Sequence, residues 1–264
     1  THFREALPKA VTLPQHFKNH GYHTHGIGKI FHGSGKPSQD PPSWSGMPRF
    51  DKVRDPRLRY ATEKNLQGKG LKRAASESAN VPDNHYVDGQ VCDAALLALE
   101  KFQSTKQPFF LAVGFHRPHV PFYVSQPWFD LHPLDKIVLP EIKDDDLDDV
   151  PEIGVKVHEL PRYPMLPYLR ANDNEQLRRC TQAYLACTTF VDSQVGKVIE
   201  ALKRSPAADN TIIVLFSDHG YHLGEKNRVS KHSLWEESTR VPLIVVEPGQ
   251  SEGQRCDRPT GLID

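Results

Sequence analysis

Neither sign of charge is in excess: Lys+Arg and Asp+Glu both total 33 in 264 residues, so the net charge is zero with His neutral. That balance argues against a nucleic-acid binder working by bulk charge, which needs a basic surplus to displace counterions from phosphates. No apolar run approaches the roughly 20 residues that span a bilayer, so no membrane partner is expected. No signal peptide opens the chain, although processing would have removed one. The cysteines Cys92, Cys180, Cys187 and Cys256 form no CxxC pair. Cys180 and Cys187 are seven apart on a predicted helix, about 10 Å along its axis, too far for a local bridge. Buried thiols are the expectation. No Asn-x-Ser/Thr sequon occurs, so nothing signals glycosylation.

What is plentiful is histidine, 14 residues, and proline, 22. The first suits metal or proton chemistry; the second implies long ordered loops. The chain is organised around Thr211–Gly224. An apolar β-branched run, Ile212 to Phe216, reads as a strand buried on both faces. Ser217-Asp218-His219-Gly220 follows at its carboxyl end, where open α/β sheets bind ligands. Turn chemistry alone would also explain an Asp and a Gly there.

Two other strands end the same way. Tyr22–Gly33 carries Lys29 and His32 past a short strand, after an amphipathic helix over 12–20 capped by Thr12. Pro108–Gly114 is a second buried strand, ending in Phe115-His116-Arg117-Pro118-His119, with Pro118 and Pro121 stiffening the loop. Asp88–Phe102 is a helix capped by Asp88. Glu175–Arg204 is the clearest helix, with apolar residues spaced by three and four. Val241–Glu247 is one more buried strand. Between these lie two irregular excursions. Residues 36–84 read as a substrate-facing surface loop anchored by Trp44. Residues 126–174 carry Asp144, Asp145, Asp146, Asp148 and Asp149, which lack the glycine and distal Glu of an EF-hand and read as a solvated acidic face.

A parallel sheet would set these tips on one edge. Two lysines and several imidazoles beside a metal suit a tetrahedral oxyanion such as sulfate or phosphate: lysine brings charge, a metal polarises the centre under attack, and a histidine protonates the leaving alcohol.

The motifs GYHTHGIGKIFH (21–32), PFFLAVGFHRPHVPF (108–122), YLACTTFVDSQVGKVIEAL (184–202), TIIVLFSDHGYHLGE (211–225) and TRVPLIV (239–245) with Lys231 resemble the type I sulfatase family, over nearly the whole chain. The resemblance implies an α/β fold with an alkaline-phosphatase-like, mostly parallel mixed sheet flanked by helices. The chain would be the central part, 1–264, of a catalytic domain. It implies hydrolysis of sulfate esters on sulfated uronic acids or related polysaccharide sugars. Asp218 and His219 would be ligands of a divalent cation, usually calcium. Lys29 and Lys231 would grip the sulfate, and His119 would protonate the sugar oxygen. His32 would deprotonate the hydrate of a formylglycine nucleophile, and Tyr221 and His222 would lie near the sugar. The implied location is extracellular, periplasmic or lysosomal.

The family's formylglycine arises within Cys/Ser-x-Pro-x-Arg, which this sequence lacks. Both ends look cut, so the expectation is that these 264 residues alone are inactive. A metal-dependent phosphoesterase of the same superfamily and an inactive oxyanion- or glycan-binding module are the alternatives.

Overall fold

The computed structural model describes residues 3–33, 39–46, 76–158, 169–170 and 173–262. In chain order the main elements are α1 (Phe3–Ala6), α2 (Leu13–Asn19), β1 (His23–Gly28), β2 (Ser76–Ala79), α3 (Val87–Phe102), β3 (Phe109–Gly114) and β4 (Phe122–Ser125). They continue with α4 (Gln126–Asp130), α5 (Glu152–His158), α6 (Glu175–Lys203), β5 (Ile213–Phe216), α7 (Glu236–Thr239) and β6 (Leu243–Val246). The architecture is mixed α/β. Among the described residues β1 pairs in parallel with β3, β2 in parallel with β4, and β5 antiparallel with β6.

Local chemistry explains the first elements. Thr12 caps α2, its hydroxyl accepting the Gln15 amide at 3.2 Å, and Pro14 sits in the first turn, where a missing N–H costs nothing. Helix α6 buries Leu177, Cys180, Ala183, Cys187 and Phe190 against Phe122 and Val124 of β4. Each large side chain so buried contributes roughly 1.5–3 kcal/mol. A second core packs Ile27 of β1 onto Val91, Ala94, Ala95 and Ala98 of α3.

The tip of the β1–β3 pair is built from two glycines in register, Gly28 and Gly114. Gly28 has φ +74°, and a Cβ on it would meet the Gly114 carbonyl oxygen at 2.2 Å. A Cβ on Gly114 would meet the Lys29 carbonyl oxygen at 1.9 Å. Only bare backbone lets the strands close here, with the Lys29 amide donating to the Gly114 carbonyl at 2.8 Å.

Several sequence expectations change. The apolar runs of β5 and β6 are not buried on both faces: Ile212 and Phe216 are each 61% exposed, and all of β6 is exposed. The two strands hydrogen-bond to each other, and along β5 Ile213 and Leu215 are partly buried while Val214 and Phe216 are exposed. Strand β3 is half-buried throughout. Asp88 is not the cap of α3; Tyr86 holds that position and Asp88 lies in the first turn, buried. The excursion over 36–84 contains β2, and the remainder of the suggested substrate-facing loop lies largely outside the described residues. Trp44 is buried, its indole N–H donating to the Gln39 carbonyl at 2.9 Å. The acidic run is not wholly solvated: Asp146 accepts from the Lys226 ammonium at 2.7 Å and its amide at 3.1 Å.

Cys92, Cys180 and Cys187 are buried and Cys256 is exposed. Burial pushes the Cys180 and Cys187 thiols up to about 12. A thiol reagent should therefore modify Cys256 quickly in the native chain and the other three only after denaturation. Rapid native labelling of Cys180 would contradict this packing.

Candidate active site

Lys29 leaves the tip of β1, and its ammonium reaches the Asp218 carboxylate past the end of β5 at 3.4 Å. Residues 189 positions apart thus meet where two strand tips come together. Asp218 is followed by His219, whose Nδ1 lies 2.8 Å from the Gly220 carbonyl. A carbonyl only accepts, so Nδ1 carries the hydrogen and Nε2 keeps its lone pair. Nε2 accepts from the Lys231 ammonium at 3.0 Å and stands 3.7 Å from Asp218 Oδ1. Ser217 braces the turn by donating to the His219 carbonyl at 2.8 Å.

Lys231 arrives on a loop held by Arg228, which is buried and donates from Nε to the Lys231 carbonyl at 3.0 Å. A second Arg228 nitrogen donates to the His158 carbonyl. His158 in turn bonds the Lys226 carbonyl at 2.6 Å. The segment around Asp146 and α5 therefore straps the loop that presents Lys231.

His119 follows β3, and its Nδ1 contacts the Val120 carbonyl at 2.6 Å, which again leaves Nε2 unprotonated. Burial, aided by the charges of Lys231, Lys29 and Arg117 and only partly offset by that carbonyl, lowers its imidazole to about 4. Burial would raise the Asp218 carboxyl, but Lys29, His219 and Lys231 together hold it below the usual value. Burial and the Lys29 charge lower Lys231, with Asp218 opposing them. Two ammonium groups that repel each other in this way would be relieved by an anion.

Of the residues singled out in the sequence, Lys29, Asp218, His219 and Lys231 form one contacting cluster, and His119 feels both lysines. His32 is exposed on the turn beyond Lys29 and makes no hydrogen bond or ion pair within the described structure. Tyr221 and His222, expected beside the sugar, both pack inward against neighbouring protein groups. The Tyr221 ring stacks on Tyr184 at 5.6 Å within the α6 core. His222 is fully buried between the Ser233 hydroxyl, at 2.7 Å, and the Glu225 carbonyl, at 3.1 Å.

The cluster suits a divalent ion in part. Ligands bonded at about 2.3–2.5 Å and roughly 90–110° apart stand about 3.3–4 Å from each other, which the 3.7 Å between Asp218 Oδ1 and His219 Nε2 matches. Among the described residues no group of three His, Cys, Asp or Glu completes such a site.

A parallel strand pair, a helix-backed core and lysines, carboxylate and imidazoles converging at the strand tips place the chain among the α/β proteins. The chain belongs to the sulfatase family, whose model matches residues 5–264. It is 42% identical to a sulfatase of Formosa agariphila, over 98% of this chain and 51% of that protein. It is 34% identical to mouse iduronate 2-sulfatase, over 91% of this chain and 45% of that protein. The chain thus spans about half the length of the curated relatives it matches. Solved sulfatases share the alkaline-phosphatase-like fold. So does a phosphonate monoester hydrolase from Silicibacter pomeroyi, at a TM-score of 0.67 and 19% identity, over 91% of this chain and 53% of that one. Members of the family typically use a metal ion and a formylglycine.

Proposed function

We propose that the protein containing this chain hydrolyses sulfate esters of sugars, with sulfated uronic acids of polysaccharides as the substrate class. The observation that carries this reading is the Lys29–Asp218–His219–Lys231 cluster at converging strand tips, with His119 beside it. The names of the relatives, iduronate 2-sulfatase among them, support the sugar.

In this reading Lys29 and Lys231 bind the sulfate oxygens. The anion replaces their mutual repulsion with attraction. Asp218 and His219 would hold a divalent cation, calcium being the family's usual choice, which when bound would neutralise ester oxygens. His119, once its imidazole is protonated, donates that proton from Nε2 to the departing sugar oxygen. His32 serves the nucleophile, which comes from outside these 264 residues because no Cys/Ser-x-Pro-x-Arg occurs within them. Action on extracellular polysaccharide or lysosomal fragments accords with a secreted, periplasmic or lysosomal location. No described helix is long and apolar enough to cross a membrane.

The test is an assay of the full-length protein on a 2-sulfated uronate disaccharide, an aryl sulfate, an aryl phosphate and an aryl phosphonate. Sulfate esters should be the preferred substrates, and the 264-residue chain alone should turn over none. Preference for the phosphate or phosphonate ester would replace this reading with a phosphoesterase. Turnover of aryl sulfate by the isolated chain would refute an external nucleophile.

A further inference from the structure

Asp88 is 1% exposed in the first turn of α3. Its carboxylate oxygens accept from the backbone amides of His116, at 2.8 Å, and Arg117, at 2.7 Å, just past the end of β3. Arg117 finishes the arrangement. Its guanidinium donates to the carbonyls of His119 and Pro121 and lies 4.0 Å over the Tyr123 ring. The loop over 116–121 is therefore held twice, its amides by a fixed carboxylate and its carbonyls by a fixed guanidinium. A buried carboxylate is costly unless it is fully bonded, and Asp88 has two amides and the nearby Arg117 charge. Neither side chain hydrogen-bonds Lys29, Asp218, His219 or Lys231.

We infer that Asp88, with Arg117 as its counterpart, is a positioning residue that fixes the loop so that His119 Nε2 stays aimed at the leaving oxygen of the ester. What His119 does there rests on the proposed ester hydrolysis; what Asp88 holds rests on the geometry.

The test uses the full-length protein and two substrates. Nitrophenyl sulfate expels a leaving group that needs no proton, whereas a sugar sulfate expels one that does. Asp88→Ala should lower kcat on the sugar sulfate about 10- to 100-fold. On nitrophenyl sulfate it should stay within about threefold, with KM for both little changed. Asp88→Asn, which keeps one acceptor oxygen, should recover part of the loss. Should Asp88→Ala fail to fold, Asp88→Asn and Arg117→Gln should each show the same selective loss, in smaller measure. Equal losses on both substrates, or none on the sugar sulfate, would overturn the inference.

Amide hydrogen exchange separates this from the functional reading. The His116 and Arg117 amides should exchange slowly in the parent and at least about tenfold faster in Asp88→Asn. If the parent hydrolyses neither ester, the functional reading falls and exchange alone decides; unchanged rates at both amides would refute the clamp.

Discussion

Full-length protein with alanine in place of His119 is expected to lose about 10²–10⁴ of its kcat on a sugar sulfate, the usual contribution of a positioned general acid. In the proposed reading the lysines carry most of the sulfate's charge, so KM should move far less than kcat. The pH dependence gives a sharper check. Burial first, and then the charges of Lys231, Lys29 and Arg117, lower His119 from 6.5 to about 4 in the free protein. The protonated form is the one that donates, so kcat/KM should fall as pH rises through about 4. Bound ester anion cancels the lysine charges, so the limb in kcat should lie at higher pH. A kcat/KM profile unchanged by His119→Ala would contradict the assignment. The same shift acts on stability. Between about 4 and 6.5 the unfolded chain binds more protons at this position than the folded one. The stability from His119 is therefore full above 6.5 and lost as pH falls through that window. His119→Gln should flatten this part of the acid-melting curve.

Alanine at Gly114 should be more damaging still, because it strikes the frame rather than one group. Its Cβ would lie 1.9 Å from the Lys29 carbonyl oxygen and 2.4 Å from the carbonyl carbon. Both are backbone atoms in a paired strand tip, so no side chain can swing aside. We expect a loss of roughly 3 kcal/mol or more. In whatever folds, Lys29 should be displaced, and a shift of about 1 Å can cost on the order of 10² in rate. Gly196 supplies the control: it lies inside α6 with nothing within 4 Å of a built Cβ. Alanine there should stabilise the chain by about 0.5–1 kcal/mol. Urea melts of both variants decide the matter; a Gly114→Ala curve superimposed on the parent's would refute the close approach.

These two sites show what a sequence can and cannot reveal. Strand tips were legible because an apolar run ending in Lys, His or Asp-His is a local pattern, and the parallel sheet edge then placed Lys29 and His119 on one side. The long helix was legible through its period, ending at Lys203 within a residue of expectation. Burial of β5 was not, because an apolar run records what a strand can pack against and not which neighbours it has. Asp88 was misread because an acid in a first helical turn serves its own helix or a distant loop equally well, and only the fold chooses. Asp146 was hidden for a related reason: among five closely spaced acids, only contact with Lys226 singles one out. The burial of His222 was not legible either, since adjacency to Asp218-His219 says nothing of which way the chain turns.

The pairing of His23 with Phe109, and of Lys29 with Asp218 across 189 positions, also sets an order of events at the ribosome. Among the described residues the parallel partner of β1 is β3, so that pairing waits until β3 has been synthesised. At about 5–20 residues per second, that wait is some seconds, long against the microseconds in which a local hairpin closes. The Lys29–Asp218 contact must wait longer still. Each growing chain therefore carries β1 without its β3 partner for seconds. During that interval the β1 edge that β3 will cover stays open, and a chaperone would matter most to this strand pair in that window.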